Sequence, residues 1–100
     1  MPQQKIKFIV NAARWFDKAN GNTYHACRIT RVADGKTLAC PLRYGYGDHY
    51  RQTALEALAA AGWLPAKYAA APHGYERENG YPIHWNVTDG RKRDAVALGS

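Results

Sequence analysis

Two apolar runs, TYHACRITRV and TLACPLRY, are separated by the four residues ADGK at positions 33–36. Few short patterns constrain a chain more. Asp-Gly supplies the positive φ that a tight hairpin loop demands, and residues two apart on each strand must then share a face. With Asp34 and Gly35 as a two-residue loop, Arg31 faces Leu38, Ile29 faces Cys40, and Cys27 faces Leu42. One face collects Cys27, Ile29, Leu38, Cys40 and Leu42 and is the expected core. The other collects Tyr24, Ala26, Arg28, Thr30, Thr37, Ala39, Pro41 and Arg43 and is expected to meet solvent or a partner. Pro41 has no N–H to give a ladder, which assigns the second of these strands to a sheet edge or a bulge.

The alternation in KIKFIV from Lys5 marks an earlier strand running toward ARWF (13–16), closed by an Asn20-Gly21 turn, with the next strand starting near Thr23. After the third strand, Asp48 is the expected N-cap of a helix over 49–61. Its stripe is Tyr50, Ala54, Ala57, Leu58 and Ala61, with Arg51 and Leu55 at the flanks and Gln52 and Glu56 outward. Gly62 suits the left-handed position after the helix, Trp63 can fold back onto it, and Pro65 prevents continuation. Residues 65–82 read as a linker, and IHWNV, Thr88-Asp89-Gly90 and DAVAL (94–98) as a second hairpin. The fold class is α+β: a three-stranded antiparallel meander packed on one main helix within residues 5–64, followed by a C-terminal extension forming a further hairpin, all in one domain.

One hundred residues suffice for one core. No apolar run approaches the eighteen or so residues of a membrane span, and Met1 to Val10 lacks the apolar core of a secretion signal, so the expected setting is the cytoplasm, with no membrane partner. The two cysteines, Cys27 and Cys40, are expected as reduced core thiols. A formal net charge of +6 favours acidic partners, either DNA or RNA or an acidic protein surface.

Specific chemistry is thin. His25 and Cys27 share a strand face with Cys40, but no paired metal-ligand spacing exists, so no metal and no cofactor are expected. His25 and His49, with Arg43 for a phosphate, are the parts a small ribonuclease would use. The segment GYGDHY matches neither phosphate-binding glycine motif, and Asp48 at a helix start would itself occupy the place of an anion. No catalytic residue is therefore assigned. The basic and aromatic residues carry the broadest signal: Arg28 and Arg43 on the outer sheet face, Tyr24 with Trp15 beside them, Tyr46, His49 and Arg51 where the sheet meets the helix, and Arg91, Lys92 and Arg93 after the last turn. Lys5 and Lys7 add charge on strand one. Together they form the candidate nucleic-acid-binding set.

Two resemblances bear on this. The order strand, strand, strand, helix over Thr23 to Gly62, ending in YRQTALEALAAAG, resembles the second half of a double-stranded-RNA-binding domain, although Asp48, His49 and Arg51 stand where such domains carry a lysine cluster. The runs NAARWFDKANGNTYHACRI and YGYGDHYRQTALEAL resemble those of a group of small, mostly uncharacterised phage, prophage and mobile-element proteins. That likeness implies a phage or mobile-element setting in the host cytoplasm and an accessory role; with the basic and aromatic residues, nucleic-acid binding without catalysis comes first, inhibition of a host defence complex by protein–protein binding, of the anti-CRISPR or another anti-defence type, second, and a small ribonuclease third. A homodimer through an exposed strand edge belongs to the inhibitor reading.

Overall fold

The structure, a computed structural model, describes residues 6–69 and 71–100. Four strands form one sheet, β1 (Phe8–Asp17), β2 (Asn22–Arg31), β3 (Thr37–Tyr44) and β4 (Ile83–Asp89), in the order β3-β2-β1-β4. The first three make the antiparallel meander, and β4 runs parallel to β1. Helix α1 (His49–Ala60) packs on one sheet face; α2 (Pro72–Glu78) and α3 (Lys92–Leu98) complete the α+β fold. Lys5 lies outside the described residues, and Lys7 precedes β1.

Both hairpins close with four residues rather than two. Asp17 and Arg31 each accept from the N–H of the glycine four residues on, at 2.7 Å for Gly21 and 2.8 Å for Gly35, and both glycines have positive φ. Asp34 accepts from the Arg31 guanidinium at 3.0 and 2.6 Å and from the Lys36 N–H at 3.1 Å, which makes the wider loop self-sufficient. The expected register therefore shifts by two: Ile29 faces Leu38, and Cys27 faces Cys40. A shift by two keeps every side chain on its face, so the core assignment survives it. Cys27 and Cys40 are buried free thiols, and hydrogen bonding to Cys40, then burial, push the Cys27 thiol pKa up.

A bulge then changes the parity. Between the pairs Cys27–Cys40 and His25–Arg43, Pro41 and Leu42 together oppose Ala26. Leu42 consequently packs on the face away from α1, and Arg43 comes to the α1 face, where it donates to Glu56 at 2.8 Å. The expectation that Arg28 and Arg43 share an outer face is corrected on this ground. Nor is that face open. Helix α3 lies over Ala13 and Ala26 with Ala95, and a Cβ built on Gly99 would stand 2.5 Å from the Cys40 carbonyl oxygen. Arg28 is committed to the same contact, donating to the carbonyl oxygens of Leu98, at 3.2 Å, and of Ser100.

The C-terminal extension is not a hairpin. Ile83 and Trp85 complete the core on the α1 side as part of β4, while the residues expected as its partner strand turn into α3. The expected linker is also structured. It holds a single 3-10 turn (Ala66–Tyr68) and α2, and it buries Tyr75 and Glu76. Because this segment packs against α1, Leu55 is fully buried rather than flanking, whereas Ala61 is exposed.

The end of α1 follows expectation in detail. Gly62 has φ 76°, its N–H reaches the Ala59 carbonyl at 3.0 Å, and the Trp63 N–H reaches the Leu58 carbonyl at 2.9 Å while the Trp63 ring packs on the core. These are the two bonds of a Schellman stop. A Cβ at Gly62 would meet no heavy atom within 4 Å, so Gly62→Ala pays only the left-handed backbone penalty. It should lower the unfolding free energy by about 1–2 kcal/mol, seen as a reduced urea midpoint at an unchanged m value.

Candidate nucleic-acid interface

Since β4 runs parallel to β1, one end of the sheet gathers the C-terminal ends of β1, β3 and β4, the start of β2, and the first residues of α1 and α3. Aromatic side chains concentrate there. Trp15 and Tyr24 stack across β1 and β2 with ring centroids 5.5 Å apart, and Tyr24 meets Tyr44 of β3 edge-on at 5.8 Å. Tyr44 is 57% exposed, Tyr46 73% and Phe16 53%. Lys92 places its ammonium 5.4 Å from the centre of the Trp15 ring.

Beneath this surface the loop from Gly45 to Gly47 is fastened from inside. His25 is fully buried; its Nδ1 lies 3.1 Å from the Gly45 carbonyl oxygen and its Nε2 2.7 Å from the Thr53 hydroxyl. A carbonyl can only accept, so Nδ1 carries the proton and Nε2 accepts from Thr53. The His49 ring is tilted against His25 at 5.3 Å, and its Nε2 is buried with no hydrogen-bond partner among the described residues. Arg14 fixes the same loop from β1: it donates to the Gly47 carbonyl at 2.8 Å and to both carboxylate oxygens of Asp89, at 2.7 and 3.1 Å. Asp48 holds the N-cap position but makes no capping hydrogen bond, contrary to expectation.

Two open recesses flank the loop. One, of about 340 Å³, is lined by Tyr44, Gly45, Tyr46, Asp48, His49 and Gln52. The other, of about 470 Å³, includes Arg14, Phe16 and Lys18.

Of the expected binding residues, the structure brings Tyr24, Tyr46, His49 and Lys92 to this end, with Arg91 and Arg93 exposed on either side of Lys92. It does not bring the others. Arg28 holds the end of the chain, and Arg43 pairs with Glu56. Arg51 lies 3.5 Å from the buried Glu76 carboxylate and 4.9 Å from the Trp85 ring centre, and Glu76 also accepts from the Trp85 indole N–H at 2.6 Å. Sequence reasoning missed Phe16 and Lys18, whose common signal is nearness to a hairpin end that the parallel β4 turns into one surface. Among the described residues no group of three or more potential metal ligands occurs, and no helix is long and apolar enough to cross a membrane.

The chain matches no family model, no curated protein and no solved structure.

Two consequences of the His25 contact are measurable. Burial first, and then the neighbouring His49 and Arg43 charges, lower the His25 pKa below its ordinary 6.5. The unfolded chain then binds this proton more readily than the native one, so the stabilisation is complete above about pH 6.5 and declines as pH falls toward the native value. A urea midpoint that drops from pH 7.5 to 5, with a smaller drop in His25→Gln, is the expected result. A Cβ on Gly45 would stand 2.7 Å from His25 Cε1 and 2.8 Å from His49 Cγ. Gly45→Ala should therefore cost about 1–3 kcal/mol of stability by chemical denaturation.

Proposed function

We propose that the chain is a non-enzymatic accessory protein of phage or mobile-element type that binds single-stranded DNA or RNA in the host cytoplasm, using the end of the sheet around Tyr44 and Tyr46. The observation that carries this is the company those rings keep. Lys18, Arg91, Lys92 and Arg93 cluster around this end with no ion-pair partner among the described residues, whereas Arg14, Arg31, Arg43 and Arg51 are each paired with a carboxylate. Unpaired cations beside exposed aromatic rings suit a strand whose phosphates need neutralising and whose bases are free to stack. A duplex hides its base faces, which favours single strands. The non-enzymatic reading is supported by His25, whose two ring nitrogens are both occupied inside the fold and so are not free to act as acid or base on a substrate.

The open edge of β4 favours a second reading, pairing with a host protein or a second copy, since β4 has β1 as its one neighbour and carries the exposed Val87. A host protein captured without nucleic acid, and lost on a β4 proline substitution, would support it.

The first reading is tested by fluorescence anisotropy with short thymidine oligonucleotides. Tyr44→Ala and Tyr46→Ala should each weaken binding about five- to tenfold. Changing Lys18 and Lys92 together to glutamine should reduce the slope of log K against log salt by about 1.4. Arg43→Ala should leave both nearly unchanged. Absence of binding at about 50 mM salt sinks the reading.

A further inference from the structure

We infer that the recess between Tyr44 and Tyr46 is a base-reading site selective for guanine; this rests on the nucleic-acid reading above. The recess is of the size of small-ligand sites, about 340 Å³ against roughly 300–1,000 Å³ in general, and its walls combine two exposed aromatic rings with three polar side chains. The hydrogen-bonding character of those polar groups can be deduced. Asp48 is an exposed carboxylate that makes no hydrogen bond among the described residues, not even to the helix it precedes. Gln52 donates one amide N–H to the Glu56 carboxylate at 3.3 Å, which fixes the orientation of the amide and leaves its oxygen free to accept and its second N–H free to donate. His49, the third, has an Nε2 that finds no partner within the fold.

The Asp48 carboxylate is thus a pure acceptor without a side-chain partner, and the Gln52 amide oxygen adds a second acceptor beside it. An unneutralised carboxylate is a poor choice for holding a phosphate, and on a surface otherwise stocked with cations it weakens strand binding unless it reads a donor. Adenine and cytosine each present one amino group flanked by an acceptor, and thymine or uracil a single imino N–H between two carbonyls. Guanine alone places two donors, N1–H and the N2 amino group, side by side, and a carboxylate accepts two parallel hydrogen bonds. Stacking on Tyr44 or Tyr46 would hold the ring while Asp48 selects it.

The test compares short thymidine oligonucleotides that carry at one central position thymine, guanine or hypoxanthine, which keeps N1–H and lacks the amino group. The guanine oligonucleotide should bind about tenfold more tightly than all-thymidine, within what one bidentate base contact supplies. Hypoxanthine should lose most of that gain. Asp48→Asn, at an exposed residue whose side chain makes no hydrogen bond among the described residues, should abolish the preference while retaining thymidine binding. Equal affinity for guanine and thymine, or for guanine and hypoxanthine, overturns the site but leaves the nucleic-acid reading standing; failure of every oligonucleotide to bind overturns both.

Discussion

The bulge at Pro41 and Leu42 sets what the rest of the molecule can do. By opposing one residue, Ala26, with two, it turns over the side-chain alternation in the last part of β3. Leu42 goes under α3, Arg43 crosses to Glu56 of α1, and Tyr44 emerges beside Tyr24. With unbroken alternation Leu42 would take the place of Arg43 opposite His25, and the arginine would stand in the aromatic row. The bulge thus decides that this end of the sheet presents a ring rather than a charge.

From that turn the chain passes directly over His25. The Gly45 carbonyl meets His25 Nδ1, the Gly45 N–H donates to the Thr23 carbonyl at 3.0 Å, and the space a Cβ would need is filled by two imidazole rings. A buried polar group is tolerated only when its hydrogen bonds are made. His25 satisfies this by joining three segments at once: its own strand, the loop before α1, and Thr53 within α1. The neutral imidazole therefore acts as a rivet, and the exposed tyrosines on either side of Gly45 inherit its rigidity. A stacking surface gains from such preorganisation, because little of the binding energy is spent on ordering the loop.

Much of this was readable in the residues, and the failures have identifiable physical causes. The meander, the main helix and its stop followed from period-two alternation, Asp-Gly and Asn-Gly signals, and the sequence Gly62-Trp63-Leu64-Pro65, all local effects. Pro41 announced its edge or bulge, but nothing local says that the bulge takes Leu42 as well, and so the side on which Arg43 emerges was misread. The pairing of β4 with β1 joins residues some 75 apart, Asn86 with Asn11 and Asp89 with Arg14, and leaves no short-range trace. The short run Asp94 to Leu98 has too few residues for periodicity to separate strand from helix. His25 illustrates the same limit. Its place on the core face was legible from parity, but the partners that neutralise its cost, Gly45 and Thr53, lie 20 and 28 residues away.

Charge placement carries the last step. Paired arginines in this fold tie distant segments together: Arg14 links β1 to β4, Arg43 links β3 to α1, and Arg51 links α1 to α2. Exposed pairs of this kind contribute little stability each, while Glu76, nearly sealed from solvent, has its polar group answered by Arg51 and the Trp85 N–H. The net charge of +6 must accordingly reside on cations with no structural duty. Had they been spread evenly, they would amount to a solubilising coat. Lys7, Lys36, Lys67 and Arg77 are spread in that way over the rest of the surface, whereas Lys18 and Arg91 to Arg93 stand together at the end of the sheet where the rings are exposed, and like charges brought together repel. On the proposed reading, a flexible polyanion with stackable faces would relieve that repulsion and use the tyrosines in the same event.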